Sequence, residues 1–126
     1  MTRKVVYWGT TGLVGLGLLG ALSYLTGSEE VVSGFAKSGY PQQLRIVLGI
    51  AKPAAGIVLL LPGLALLKEW AYAGATFTWF MATVTHFSNG DGVQVWSLPL
   101  AFLILLIVSY VTRPPSRRLV PWPFAA

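Results

Sequence analysis

A lysine in the middle of an apolar segment is the feature that most constrains this fold. The segment runs from Gln42 to Leu67, and Lys52 is the charged residue near its centre. A segment of this length and apolarity can cross a bilayer as a helix. A lysine at that depth is costly unless it faces other protein or water. Lys52 is therefore expected to point into a helix bundle and away from lipid.

Glycines on the same segment indicate which side of the helix packs against protein. Gly49, Gly56 and Gly63 recur every seven residues, which places them on nearly one helical face. Lys52 lies three residues after Gly49 and four before Gly56, so it shares that face. Small residues let a second helix approach closely. We therefore predict that the face formed by Lys52 and these glycines packs inside the bundle.

The composition is that of a membrane protein with one domain. Of the 126 residues, 55% are hydrophobic and only 10% are charged. Four apolar blocks predict transmembrane helices at about residues 5–26, 43–67, 71–88 and 96–112. The predicted fold is thus an all-α, four-helix transmembrane bundle over residues 1–112. In the first outer loop, residues 30–37 have the pattern of a short amphipathic surface helix.

The placement of charges predicts the orientation of the bundle. Basic residues gather on one side of a four-span layout: Arg3, Lys4, Lys68, Arg113, Arg117 and Arg118. The opposite side carries Glu29, Glu30, Lys37, Arg45 and Asp91. Because basic loops stay in the cytoplasm, both termini are predicted to be cytoplasmic.

The tail at residues 113–126 is basic and contains four prolines. Proline at this density disfavours a helix. We interpret the tail as a cytoplasmic anchor on anionic lipid headgroups, with docking to a partner protein as the alternative.

Several chemistries are excluded or disfavoured by residue counts. The chain has no cysteine and one histidine, which excludes disulfides, thiol redox chemistry, and a structural zinc or bis-histidine haem site within one chain. The net charge is +5, but the basic residues cluster at the chain ends and form no stripe among stacking aromatics. We expect no nucleic-acid binding, no metal, no intrinsic cofactor and no complete catalytic set.

Lys52 and His86 are the two ionisable residues well inside predicted spans. A lysine stem can reach outward, so both head groups are expected to meet in a cavity in the outer half of the bundle. Glu29, Glu30 and Asp91 would lie above them as counter-charges. Two interpretations stay open. Lys52 pairs with one of these acids to hold the bundle together, or Lys52 and His86 bind a quinone carbonyl, with histidine moving the proton.

The third predicted span carries a helical stripe that includes the histidine. Ala75, Trp79, Ala82 and His86 follow one another at spacings of four, three and four residues. Ala75 and Ala82 are therefore predicted helix-packing positions, together with the glycines of the second span. The histidine alone has a simpler interpretation, since water or a backbone carbonyl near the interface satisfies it easily.

The chain resembles the DoxX-like family of small bacterial integral membrane proteins. The resemblance rests on the order and spacing of four pieces, which are residues 34–41 (GFAKSGYP), 48–52 (LGIAK), 70–74 (WAYAG) and 82–86 (ATVTH) with Gly90-Asp91 after it. It implies a four-helix membrane bundle in the bacterial cytoplasmic membrane, with Lys52, His86 and Asp91 at positions that the family favours. Relatives are linked to quinone-coupled thiosulfate oxidation, to membrane oxidoreductase complexes and to membrane assembly.

Two functional hypotheses follow. The first is an accessory or binding subunit that packs against larger integral membrane proteins and lipids, because the helix faces are rich in glycine and the polar loops are small. The alternative is a quinone-interacting subunit of a membrane oxidoreductase, with Lys52 and His86 lining the outer-half cavity. A small transporter ranks below both, since four short spans give little material for alternating access.

Overall fold

The computed structural model describes residues 1–119, and this part of the chain is helical with no β-strand. It contains five α-helices: α1 (Thr2–Leu19), α2 (Glu29–Lys37), α3 (Gln42–Leu60), α4 (Ala65–Ser88) and α5 (Val93–Val111). A 3-10 segment, Gly20–Thr26, continues α1, and a single 3-10 turn, Pro115–Arg117, follows α5. The predicted all-α architecture is confirmed for the described residues.

The four long helices form a closed bundle in which each helix contacts two others. α1 packs against α3 and α5, and α4 packs against the same two helices on the other side. The core between them is built from apolar side chains of all four helices, chiefly Val14, Leu18, Leu59, Tyr72, Trp79 and Leu106. The outer faces keep large apolar side chains exposed, among them Leu16, Ile50, Phe77 and Ile104. An apolar exterior of this kind suits contact with lipid.

Three segments of the described chain are long and apolar enough to cross a membrane: Thr2–Thr26, Gln42–Leu60 and Val93–Val111. α4 has 24 residues but is not among them. Its sequence includes Lys68, Glu69, His86 and several threonines, all of which lower its mean hydropathy.

The connection between α3 and α4 differs from the prediction. The sequence was expected to run helical to Leu67 and to turn at residues 68–70, but α3 ends at Leu60 and α4 begins at Ala65. Pro62 lacks a donor for the helical ladder, and Gly63 has a positive φ of 71°. Gly63 thus lies in the turn, and an added Cβ there would meet nothing within 4 Å. Gly63 was predicted to be a helix-packing residue, but in the structure it is a turn residue.

Lys68 lies in the first turn of α4 and is fully buried. Its Nζ donates to the carbonyl oxygens of Leu61 and Gly63, at 2.5 Å each. The end of a helix leaves carbonyl groups without intrahelical partners. Lys68 therefore caps the α3–α4 turn, where the sequence had suggested an ordinary loop lysine.

The short helix predicted at residues 30–37 is present as α2. Ser28 caps its N-terminus by accepting from the backbone N–H of Val31, and none of its residues is fully buried. The Phe35 ring packs edge-on against Tyr24, with 5.3 Å between ring centroids. α2 therefore lies across the end of the bundle with one apolar side turned toward it.

The described part of the tail folds back under the opposite end of the bundle. Arg117 is buried and donates from one guanidinium nitrogen to the Leu59 carbonyl at 2.9 Å. Its guanidinium lies 4.5 Å from the centroid of the Trp8 ring. Residues 115–117 form one 3-10 turn, whereas the sequence had predicted no helical structure in the tail. Residues 120–126 lie outside the described residues, and the anchor or docking role predicted for the tail at residues 113–126 stays a prediction.

Candidate functional site

A cavity of about 300 Å³ lies between α2, α3, α4 and the 3-10 segment that continues α1. Lys52 of α3 and His86 of α4 both contribute to its wall. Tyr24 and Phe35 line it from the 3-10 segment and from α2, and Ala82 lines it beside the histidine. We call this space the Lys52 cavity.

The glycines of α3 fix the position of Lys52. A Cβ at Gly49 would lie 2.7 Å from a methyl carbon of Leu25, and a Cβ at Gly56 would lie 3.1 Å from the Gly15 carbonyl oxygen. Glycine at both places thus lets α3 approach α1 and its 3-10 extension closely, most strictly at Gly56, where the near atom belongs to the backbone. Lys52 lies between the two glycines and is 9% exposed.

The Lys52 ammonium lies beside two aromatic rings and has no acidic partner among residues 1–119. Its Nζ lies 5.3 Å from the centroid of the Tyr24 ring and 5.7 Å from that of Trp79, both within cation–π range. Trp79 itself is stacked on Phe102, with ring centroids 5.1 Å apart. Among residues 1–119, Lys52 takes part in no ion pair. Its three N–H donors are therefore available to a molecule in the cavity.

His86 is held by a carboxylate from the α4–α5 loop. The His86 Nδ1 lies 2.8 Å from one carboxylate oxygen of Asp91, and the other oxygen accepts from Lys37 Nζ at 3.2 Å. The hydrogen bond with His86, and then that with Lys37, lowers the pKa of Asp91 below its usual value. An ionised Asp91 favours the neutral tautomer of His86 with hydrogen on Nδ1. In that tautomer Nε2 of this cavity-lining residue is the acceptor nitrogen.

Further hydrogen bonds tie the end of α2 to the end of α4. The Tyr40 and Thr85 hydroxyls lie 2.5 Å apart. The Asn89 side chain donates to the Ser38 hydroxyl at 3.3 Å. Together with the bridge from Lys37 to Asp91, these bonds hold α2 over the Lys52 cavity.

The structure brings together some of the predicted site residues. Lys52, His86 and Glu30 all line the cavity, whereas Glu29 is exposed and does not. Asp91 pairs with His86 and Lys37, and among residues 1–119 Lys52 forms no ion pair with an acid of the outer loops, the pairing that was one of the two open interpretations.

The predicted helix-packing residues occupy different surroundings. Gly49 and Gly56 contact α1 and its extension, Ala75 is buried in the core, and Ala82 lines the cavity. Sequence reasoning did not assign Tyr24 or Tyr40 to the site. A signal for Tyr40 lay in the Gly39-Tyr40-Pro41 turn, which is part of the family resemblance, but nothing in the sequence placed Tyr24 beside Lys52.

Comparison with known families finds a match over most of the chain. The model of the DoxX-like family matches residues 9–109, a range that includes Lys52, His86 and Asp91. Searches of curated proteins and of solved structures find no match.

Proposed function

The chain belongs to the DoxX-like family of membrane proteins, and from this premise we propose that it is a four-span accessory protein that binds a small ligand at Lys52. The single observation that carries the proposal is the ammonium of the buried residue Lys52, which faces the cavity and forms no ion pair among residues 1–119, with Glu30 elsewhere on the cavity wall. A buried cation of this kind is costly in a membrane protein unless it has a partner. A bound acceptor group would supply that partner.

The polar composition of α4 is compatible with a fourth span. The threonine hydroxyls of Thr76, Thr78 and Thr83 donate to carbonyls four residues earlier in the same helix, at 2.7 to 2.8 Å. Hydroxyl groups that are satisfied inside their own helix need no water. α4 also packs along both α3 and α5, each of which is apolar enough to span. We therefore infer that α4 crosses the bilayer beside them, with α2 on the outer surface.

A quinone is the ligand class that this site suits best. A quinone carbonyl accepts hydrogen bonds, and Lys52 offers donors among aromatic rings that suit a flat ring. His86 lines the same cavity and is held by Asp91, so its imidazole is positioned to pass a proton. The sequence predicts no complete catalytic set, so we assign electron transfer to a partner protein. We accordingly infer a binding subunit of a membrane oxidoreductase.

The experiment is a calorimetric titration of the purified protein in mild detergent. The titrant is a tail-less benzoquinone, 2,3-dimethoxy-5-methyl-1,4-benzoquinone. Lys52→Met removes the donors and is expected to weaken binding about tenfold or more, the value of one hydrogen bond to a charged group. His86→Leu is expected to weaken binding less. Lys4→Met removes an exposed cation outside the cavity and is the matched control. Equal affinity in the wild type and in Lys52→Met would sink the proposal.

One observation favours a second role, packing against larger membrane proteins. Gly9, Leu13, Leu16 and Gly20 lie on one exposed face of α1 and its extension, and an added Cβ at either glycine would meet nothing within 4 Å. Such a face leaves room for the close approach of a helix from another protein. Crosslinking in native membranes with a photoreactive residue at Leu16 tests this role. Recovery of the chain alone, free of any crosslinked protein, would contradict it.

A further inference from the structure

A second concave surface continues from the Lys52 cavity along the side of the bundle. It has a volume of about 370 Å³ and lies between α3 and α4. Leu48, Lys52 and Thr78 line both spaces. The two spaces therefore meet at the Lys52 side chain, and we call the second one the lateral groove.

The lateral groove is almost entirely apolar. Small residues make up its middle and large apolar residues its far end: Ala51, Ala54, Ala55, Gly74, Ala75, Leu67 and Trp70. Between Lys52 and the far end, its polar side chain is that of Thr78, whose hydroxyl already donates to the Gly74 carbonyl at 2.7 Å; Trp70 at the far end adds an indole N–H. A molecule that lies in the groove between Lys52 and Trp70 would thus meet no unsatisfied donor on the way, which suits a hydrocarbon chain.

The groove is long and is open along one side. It follows α3 from Leu48 to Val58, which corresponds to roughly 15 Å at the helical rise per residue. Ala51, Ala54 and Gly74 along its wall are exposed. A chain lying there would therefore contact the protein on one side and the apolar surroundings of the bundle on the other.

We propose that the ligand is amphipathic, with its polar head at Lys52 in the Lys52 cavity and an apolar chain in the lateral groove. The inference rests on the proposed function, since it extends the same site to a second part of the same ligand. The lining residues that the two spaces share support this inference. A head group bonded to Lys52 would lie where the apolar groove begins. Burial of the chain then adds affinity that the head alone lacks.

Gly74→Leu is the variant that isolates the groove. Gly74 lines the lateral groove but not the Lys52 cavity, and an added Cβ would meet nothing within 4 Å. A leucine is therefore accommodated, favours the helix over glycine, and occupies part of the groove. Gly9→Leu is the matched control, since Gly9 is also a helical glycine with nothing within 4 Å and lies on the exposed face of α1.

The measurement compares two probes, the tail-less benzoquinone and its decyl derivative, in the same detergent. The ratio of the decyl probe's affinity to that of the tail-less probe removes the contribution of the head group. Comparison of that ratio between variants removes the effect of partition into the micelle. In Gly74→Leu the ratio is expected to fall about tenfold, the value of roughly two buried methylene groups. The affinity for the tail-less probe is expected to stay as in the wild type. Gly9→Leu should match the wild type for both probes.

An unchanged ratio in Gly74→Leu, with the tail-less probe still bound through Lys52, would overturn the groove and leave the proposed function standing. This is also the outcome expected if a detergent or lipid chain fills the groove in place of the ligand's own. If both probes bind Lys52→Met as tightly as the wild type, the proposed function and the inference are overturned together.

Discussion

Lys52 differs from the other buried cations of the bundle in what it contacts. Lys68 and Arg117 donate to backbone carbonyls at the end of α3, and Arg113 bonds the Glu69 carboxylate at 2.6 Å. Lys68 and Arg117 satisfy carbonyls that the end of α3 would otherwise leave unpaired, and Arg113 shares the Glu69 carboxylate with the Tyr110 hydroxyl. Lys52 has only the faces of aromatic rings beside it. The charge of Lys52 is therefore expected to contribute less to the stability of the fold than the charges of Lys68, Arg113 and Arg117.

Replacement of Lys52 tests this difference through stability. Lys52→Met keeps the length of the side chain and removes a buried charge, so we expect the thermal stability in detergent to be retained or raised. Arg117→Met leaves the Leu59 carbonyl without its donor and is expected to lower the unfolding free energy by about 1–3 kcal/mol. Thermal unfolding followed by circular dichroism measures both. A loss in Lys52→Met as large as that in Arg117→Met would mean that Lys52 is a structural residue.

Gly56 controls the approach of two helices. An added Cβ would lie 3.1 Å from the Gly15 carbonyl oxygen and 3.2 Å from the Leu18 Cβ, and neither atom is the flexible end of a side chain. Gly56→Leu must therefore push α1 and α3 apart, and we expect a loss of about 1–3 kcal/mol in unfolding free energy. Gly9→Leu, with open space around its Cβ, should be neutral in the same denaturation assay. Equal effects of the two variants would contradict this packing.

The position of α2 depends on the ionised carboxylate of Asp91. Hydrogen bonds from His86 and Lys37 lower the pKa of Asp91 below its usual value of 3.8. A lowered pKa in the folded state means that the contribution to stability is present above pH 3.8 and is lost as the pH falls through the lowered value. We expect amide exchange to show α2 protected at pH 5 to 7 and released only as the pH falls below 3.8.

Asp91→Asn removes the charge at every pH, so α2 should exchange faster already at pH 7. Glu69→Gln is the control, because Glu69 pairs with Arg113 at the other end of the bundle and should leave exchange in α2 unchanged. Protection of α2 that is the same in Asp91→Asn and in the wild type would show that other contacts, such as Tyr40 with Thr85, hold the helix.

At the scale of the whole molecule, the helical architecture followed from apolar block lengths and from small-residue spacing. The joint presence of Lys52 and His86 in one cavity was predicted from their depth in two neighbouring spans. Contacts between distant parts of the chain were not predictable in this way. Ser109 bonds both the Thr11 and the Tyr72 hydroxyls, at 2.6 and 2.7 Å, and Arg117 reaches the end of α3. Such pairings depend on helix rotation and on how the tail folds back, which periodicity does not encode.

The break after α3 shows a local limit of the same reasoning. Hydropathy ran through Leu61 to Leu67 without interruption, yet the Pro62-Gly63 pair turns the chain there. Burial of Lys68 then follows, because its ammonium is the donor nearest to the freed carbonyls. Lys68, which follows the apolar run, thus belongs to α4 and lies four residues after its N-cap, Leu64.

The two ends of the bundle differ in charge, and this difference predicts the orientation of the molecule in the membrane. Of the nine lysine and arginine residues, six belong to one end: Arg3, Lys4, Lys68, Arg113, Arg117 and Arg118. Contacts join this set, since Arg3 donates to the Val111 carbonyl and Arg117 to that of Leu59. From the positive-inside tendency we predict that this end, with the N-terminus and residue 119, lies in the cytoplasm. The Lys52 cavity would then lie in the outer half.

Because the chain has no cysteine, single cysteines report this orientation directly. Gln43→Cys and Ser116→Cys place a thiol at exposed positions at the two ends of the bundle. In intact bacterial cells, a membrane-impermeant maleimide should label the variant at Gln43, whereas the variant at Ser116 should react only after the membrane is opened. The cysteine-free parent controls for background. The reverse labelling would place the basic end outside and the Lys52 cavity toward the cytoplasm, so the ligand would then have to reach Lys52 from the cytoplasmic half of the membrane.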